Sequence, residues 1–95
     1  VIVLALGERA ALAAHPFTER LRDRLPGTGI VVDAESGGAK AKFKRADRSG
    51  AQLAVVLGDS EVDSGEATLK YLRDDRPQQT LSADAIAQAI GVALA

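Results

Sequence analysis

The stretch Leu53-Ala54-Val55-Val56-Leu57 constrains this chain most, because consecutive apolar residues leave a strand no face to show to water. Such a strand must be covered on both sides, the condition of a central strand in an α/β sheet. Gly58 closes it, so the following turn falls at a strand's carboxyl end, where open α/β sheets hold their ligands. Upstream, a helix is predicted to end at Gly50, since glycine takes the left-handed conformation that satisfies the last helical carbonyls. At about 100° per residue, Ala39, Phe43, Ala46 and Gly50 share one arc and predict the helix's buried face. Lys40, Lys44, Arg45 and Arg48 spread over the other side, with Lys42 at its margin. Residues 38–48 thus hold five basic side chains and one acid, Asp47. A solvated face built for helix propensity and solubility accounts for this pattern, and so does contact with a polyanion.

The flanking segments extend the α/β pattern. Residues 1–6 read as another buried strand, stopped at Gly7. Residues 9–25 read as a helix with Phe17, Leu21 and Leu25 on one stripe and Ala13 and Ala14 near it. Pro16 removes a backbone donor and clashes with the carbonyl of Leu12, which predicts a kink or break near His15 unless a new helix starts there. Arg20, Arg22 and Arg24, interleaved with Glu19 and Asp23, predict an exposed face with local ion pairs. Pro26, Gly27 and Gly29 turn the chain into a short strand at 30–33, and a loop at 34–38 leads to the basic helix. Beyond Gly58 come a polar turn at 59–65, an exposed-edge strand at 66–72, a second turn with Pro77, and a short strand around 78–81. Ser82 is a helix N-cap, and Ala85, Ile86, Ala89, Ile90 and Ala93 give the closing helix its apolar face. Right-handed crossovers make the first three strands parallel and adjacent, with the last two forming an antiparallel hairpin. The predicted fold class is a three-layer α/β/α domain on a mixed five-stranded sheet, with about three helices.

Ninety-five residues make one domain, spanning 1–95. Two Phe, one Tyr and no Trp leave the core to aliphatic side chains. The formal charge of −1 gives no overall pull on nucleic acid, and residues 59–84 carry seven acids against three bases. Any RNA contact must therefore be local. Cysteine is absent, which excludes disulfides and thiolate metal sites and fits a reducing compartment. No apolar run reaches membrane-spanning length, so the expectation is a soluble, cytoplasmic protein. Met is absent even from position 1, and the chain opens inside a strand-like run, which reads as a segment of a longer protein.

Several sharper readings fail on their own chemistry. Gly58-Asp59-Ser60 resembles the strand end of a lipase-like hydrolase, but His15 is the one histidine and precedes the serine. His15 reads as a helix-surface or break-capping residue. Asp59, Glu61 and Asp63 alternate like calcium-loop ligands, yet the glycine comes one place late and Lys70 stands where glutamate is required. Gly37-Gly38-Ala39-Lys40 lacks Walker spacing, so a nucleotide-binding flavodoxin-like domain lacks its phosphate loop. The glycines at that helix start either cradle a phosphate or simply make a tight connection. Glu61 and Lys70 flank a turn and are predicted to face each other across the hairpin. They form either an exposed cross-strand ion pair or an acceptor and donor for the edges of unstacked bases.

The wording from Phe43 to Leu72 is specific in combination. Arg45-Ala46-Asp47, Gly50-Ala51, the apolar strand, Gly58-Asp59-Ser60-Glu61, Gly65 and Lys70 together resemble the carboxyl-terminal anticodon-binding domain of bacterial histidyl-tRNA synthetases. Leu21-Arg22-Asp23 and the flanking strands extend the resemblance over the chain. It implies that Ser36, Gly37, Gly38, Lys40, Lys44, Glu61 and Lys70 approach the anticodon stem-loop of a tRNA. It also implies a homodimeric parent that ligates histidine to tRNA, with ATP and Mg held in a separate catalytic domain and no cofactor or catalytic residue in this segment. Synthetase-like regulators and accessory subunits share such domains, and protein binding or unspecific RNA binding is the alternative. The chain departs from the family at Ala39, at Lys70-Tyr71-Leu72 and at Asp74-Asp75-Arg76-Pro77. Tyr71 there is either a stacking surface or a packing residue.

Overall fold

A computed structural model describes residues 1–33 and 37–95; Ser36 lies outside the described residues. The elements in order are β1 (Ile2–Leu6), α1 (Glu8–Arg24), β2 (Val31–Asp33), α2 (Ala39–Arg48), β3 (Leu53–Gly58), α3 (Asp59–Ser64), β4 (Glu66–Tyr71), β5 (Gln79–Ser82) and α4 (Ala83–Leu94). The sheet order is β2-β1-β3-β4-β5, which puts the unbroken apolar strand in the centre. β1 pairs in parallel with β2 and β3, and β4 pairs antiparallel with β3 and β5. β4 alone therefore runs against the other strands.

Successive side chains of β3 point to opposite faces, and both faces are filled. Leu53, Val55 and Leu57 join Val3, Phe17, Leu21, Leu69, Ile86 and Ile90 in the larger core, beneath α1 and α4. Ala54 and Val56 join Ile2, Leu4 and Ala46 in the smaller core, beneath α2. The result is the expected three-layer α/β/α arrangement, with a fourth helix. That helix, α3, occupies the segment read from sequence as a turn. It is short and has no buried residue, so it left no apolar periodicity to read.

Local expectations yielded to packing at three other places. α1 runs unbroken through Pro16, which is exposed on its outer side. An interior proline costs roughly 3 kcal/mol, but Ala10, Ala14, Phe17 and Leu21 are all buried along the inner stripe. Burying Phe17 and Leu21 alone contributes about 1.5–3 kcal/mol each, enough to hold both halves in one continuous helix. β4 is not an edge: β5 covers its far side, and Ala67, Thr68 and Leu69 are buried. Its sequence alternation marked one wet face, a property of antiparallel strands in general. On α2, Ala46 is buried and Phe43 half-buried, whereas Ala39 and Gly50 at the ends of the predicted arc are exposed. The apolar surface under α2 is small, five buried residues among those described, and the helix touches it through its middle.

Helix ends follow the sequence signals. Gly50, at φ 80°, follows the end of α2. The Ser82 hydroxyl accepts the Ala85 N–H at 3.2 Å and caps α4. Arg22 forms the expected local pair with Glu19 at 2.6 Å but also donates to the Ile30 carbonyl at 2.7 Å. Arg24 reaches across to Asp84 on α4 at 2.8 Å, a tertiary contact in place of a local one.

Candidate nucleic-acid interface

Strand register decides where the candidate residues stand. Lys70 lies opposite Ala54, Thr68 opposite Val56 on one side and Thr80 on the other, and Glu66 opposite Ser82. Alternation puts Thr68 and Lys70 on the α2 side of the sheet, since Ala67 and Leu69 belong to the other core. α2 lies over β1 and β3 on that side. Toward β5 the same face is wetter: Thr80 and Ser82 are exposed, Lys70 and Glu66 half-buried. A hydrogen bond of 2.9 Å joins the Thr68 and Thr80 hydroxyls in the middle of this strip.

Glu61 belongs to the same face by a less direct route. Gly58 points its missing side chain toward the α2 side, and the Glu61 carboxylate occupies that space: a Cβ on Gly58 would stand 2.9 Å from Glu61 Oε2. The Ser60 hydroxyl donates to the same oxygen at 2.5 Å. Glu61 and Lys70 thus bracket one strip from opposite ends, at the levels of Gly58 and Ala54, separated along the strand by about 13 Å at ~3.3 Å per residue. The predicted contact across a hairpin turn is corrected accordingly. α3 carries Glu61 to the carboxyl end of β3 while β4 carries Lys70 back to its amino end, and among the described residues no ion pair joins them. Lys70 instead sets its ammonium 4.4 Å from the centre of the Phe43 ring.

The basic helix divides into two sets of side chains. Lys40, Lys44 and Arg48 are exposed, as are Gly37 and Gly38 before the first turn. Arg45, read from sequence as part of the exposed face, turns inward and forks onto Asp33 at 3.0 and 3.3 Å. The Asp33 side chain is only 4% exposed, and a buried carboxylate needs such a paired, bidentate partner. This clamp fastens α2 to the end of β2. Its one sequence signal was an acid closing an apolar strand. Arg73 was also missed: its guanidinium donates to the Asp47 carbonyl at 2.6 Å and the Ala51 carbonyl at 3.1 Å, tying the end of α2 to the chain beyond β4.

The crevice between the carboxyl ends of β1 and β3, where a doubly wound domain holds a nucleotide, is already filled. Asp59 accepts the Ala10 N–H at 3.0 Å and so caps α1, whose own N-cap residue is Gly7. Glycine suits this place because its φ of 136° is one that L side chains rarely adopt, and a Cβ there would also run into the Asp59 carboxylate. An acid in that position repels phosphate, which removes the flavodoxin-like reading. Asp63 pairs with Arg9 at 2.9 Å, so Asp59, Glu61 and Asp63 serve three different partners. His15 is exposed on a continuous helix, which leaves it no break to cap. The Tyr71 ring packs against the larger core and carries the Arg76 guanidinium 4.1 Å from its centre, which makes it a packing residue.

Layers, strand order and a closed nucleotide crevice define a three-layer α/β/α binding module with a basic helix beside a half-open sheet face. The sequence pattern of the anticodon binding domain matches residues 1–91, and the chain belongs to that family, the anticodon-binding domains of class II aminoacyl-tRNA synthetases. Solved structures share the fold. Histidyl-tRNA synthetase from Nostoc sp. PCC 7120 superimposes with a TM-score of 0.87 at 20% identity, covering 99% of this chain and 22% of that one. The RNA binding domain of threonyl-tRNA synthetase from Cryptosporidium parvum Iowa II gives 0.85 at 21% identity, over 96% and 22%. Apo histidyl-tRNA synthetase from S. aureus gives 0.77 at 25% identity, over 93% and 25%. This chain therefore spans a quarter or less of the length of each of these chains. No helix among the described residues is long and apolar enough to cross a membrane.

Proposed function

We propose that this domain reads the anticodon loop of histidine tRNA as part of a histidyl-tRNA synthetase. The observation that carries the reading is the strip bracketed by Glu61 and Lys70: an acceptor and a donor on one accessible sheet face suit the edges of unstacked bases. The specificity for histidine rests on the sequence wording, above all Arg45-Ala46-Asp47, Gly50-Ala51 and Gly58-Asp59-Ser60-Glu61. Gly37, Gly38, Lys40 and Lys44 approach the loop's phosphates, where mobile ammonium groups serve as point charges. Activation of histidine with ATP and Mg belongs to a catalytic domain outside this chain, in a cytoplasmic, homodimeric parent. The second reading, an accessory domain binding RNA or protein without anticodon preference, draws on the near-neutral formal charge.

A binding titration separates the two. The chain is titrated with a stem-loop carrying the GUG anticodon and with one whose anticodon is scrambled, at low and moderate salt. The anticodon reading predicts that GUG binds more tightly and that Glu61→Ala or Lys70→Ala removes the preference. Equal, salt-sensitive binding of both loops sinks it in favour of phosphate contact alone.

A further inference from the structure

Both ends of the Lys70 side chain are held. Its backbone is fixed in the ladder opposite Ala54, whose methyl group leaves room for the lysine stem to lie across β3 toward α2. Its ammonium lies 4.4 Å from the centre of the Phe43 ring, inside the range of cation–π attraction. Phe43 is itself seated on the smaller core, so the ring is a fixed platform. Among the described residues no carboxylate pairs with Lys70, so the N–H donors not directed at the ring face stay available to a further acceptor. Reading a base edge requires a donor at a defined point, whereas a phosphate is satisfied by a charge that wanders. Lys40 and Lys44 are exposed on the outer side of α2 and suit the second task; Lys70 suits the first.

We propose that Phe43 is a positioning residue that holds the Lys70 ammonium over the open sheet face and thereby converts it from a charge contact into a base-discriminating donor. The inference rests on the reading that Lys70 contacts the anticodon. Phe43→Leu keeps an apolar side chain of similar reach but removes the ring, and Phe43→Tyr keeps the ring. In the wild-type chain the ring current shifts the Lys70 ε-methylene protons upfield in the NMR spectrum, and Phe43→Leu returns them to ordinary values. Phe43→Leu lowers the preference for the GUG stem-loop over the scrambled one by roughly three- to tenfold, while Phe43→Tyr retains it. In a Lys70→Ala background Phe43→Leu has no further effect on the preference, and it leaves the salt dependence of binding unchanged throughout. If Lys70→Ala abolishes the preference and Phe43→Leu does not, Phe43 has no positioning role although the anticodon reading stands. If Lys70→Ala leaves the preference intact, the reading itself fails and the inference with it. Unshifted Lys70 ε protons in the wild-type chain overturn the inference without RNA, whether or not Phe43→Leu folds.

Discussion

Gly58 has ordinary extended backbone, with φ −97°, yet a methyl group there would stand 2.9 Å from Glu61 Oε2. The glycine is required by the carboxylate above it, not by its own conformation. Gly58→Ala is therefore expected to displace Glu61 and break its hydrogen bond with Ser60 at a stability cost of about 1 kcal/mol or less, since the displaced group is a side chain with solvent beside it. The same change lowers the GUG preference toward that of Glu61→Ala. Chemical denaturation and the stem-loop titration check the two parts, and an unchanged preference would show that Glu61 works from more than one position. At this scale the sequence singled out Glu61 and Lys70 as candidates, and the relation it suggested between them was mistaken. Separation along the chain suggested a turn between facing partners, whereas their common face follows from strand register and from the space over Gly58. Arg45 was misread because a helical wheel records direction and not partners, and its partner Asp33 is brought in by tertiary structure.

Among the elements, those with long apolar patterns were legible and those governed by tertiary packing were not. β1, β3 and the stripes of α1 and α4 appear where periodicity puts them. α3 escaped notice because six polar-rich residues carry no stripe, and β4 was taken for an edge because alternation reports one wet face and says nothing of lateral neighbours. Pro16 shows the conflict in energetic form. Its local penalty was read correctly, but Phe17 and Leu21 on the inner stripe outweigh it. The penalty remains stored in the folded chain, so Pro16→Ala should stabilise it by about 1–3 kcal/mol, less than the full helix-propensity difference because the unfolded chain also gains freedom. At about 4–8 °C per kcal/mol for a domain of this size, the melting temperature rises measurably. A neutral or destabilising outcome would mean that the helix bends at Pro16 in a way the surrounding core requires.

Over the whole molecule, the proposed reading puts affinity and discrimination on different surfaces. The formal charge is −1, so on the proposed reading attraction to RNA is expected from the exposed stripe Lys40, Lys44 and Arg48, not from a global field. The strip between Glu61 and Lys70 also carries Glu66, two acids against one base, so it would contribute no net attraction, but on the proposed reading it offers acceptors and a donor to unstacked bases. This division predicts separable effects. Replacing both Lys40 and Lys44 by alanine removes two phosphate contacts and should flatten the log–log salt slope of stem-loop binding by about 1.5, at roughly 0.7–0.9 per phosphate. The ratio of affinities for GUG and scrambled loops stays as it was, because both loops present the same phosphates. Lys70→Ala should do the reverse, abolishing the ratio with little change in slope. Salt titrations of the two variants against both loops decide the matter. If the Lys40/Lys44 variant loses the ratio as well, the start of α2 reads bases, and recognition extends from the open sheet face across the mouth of the sheet.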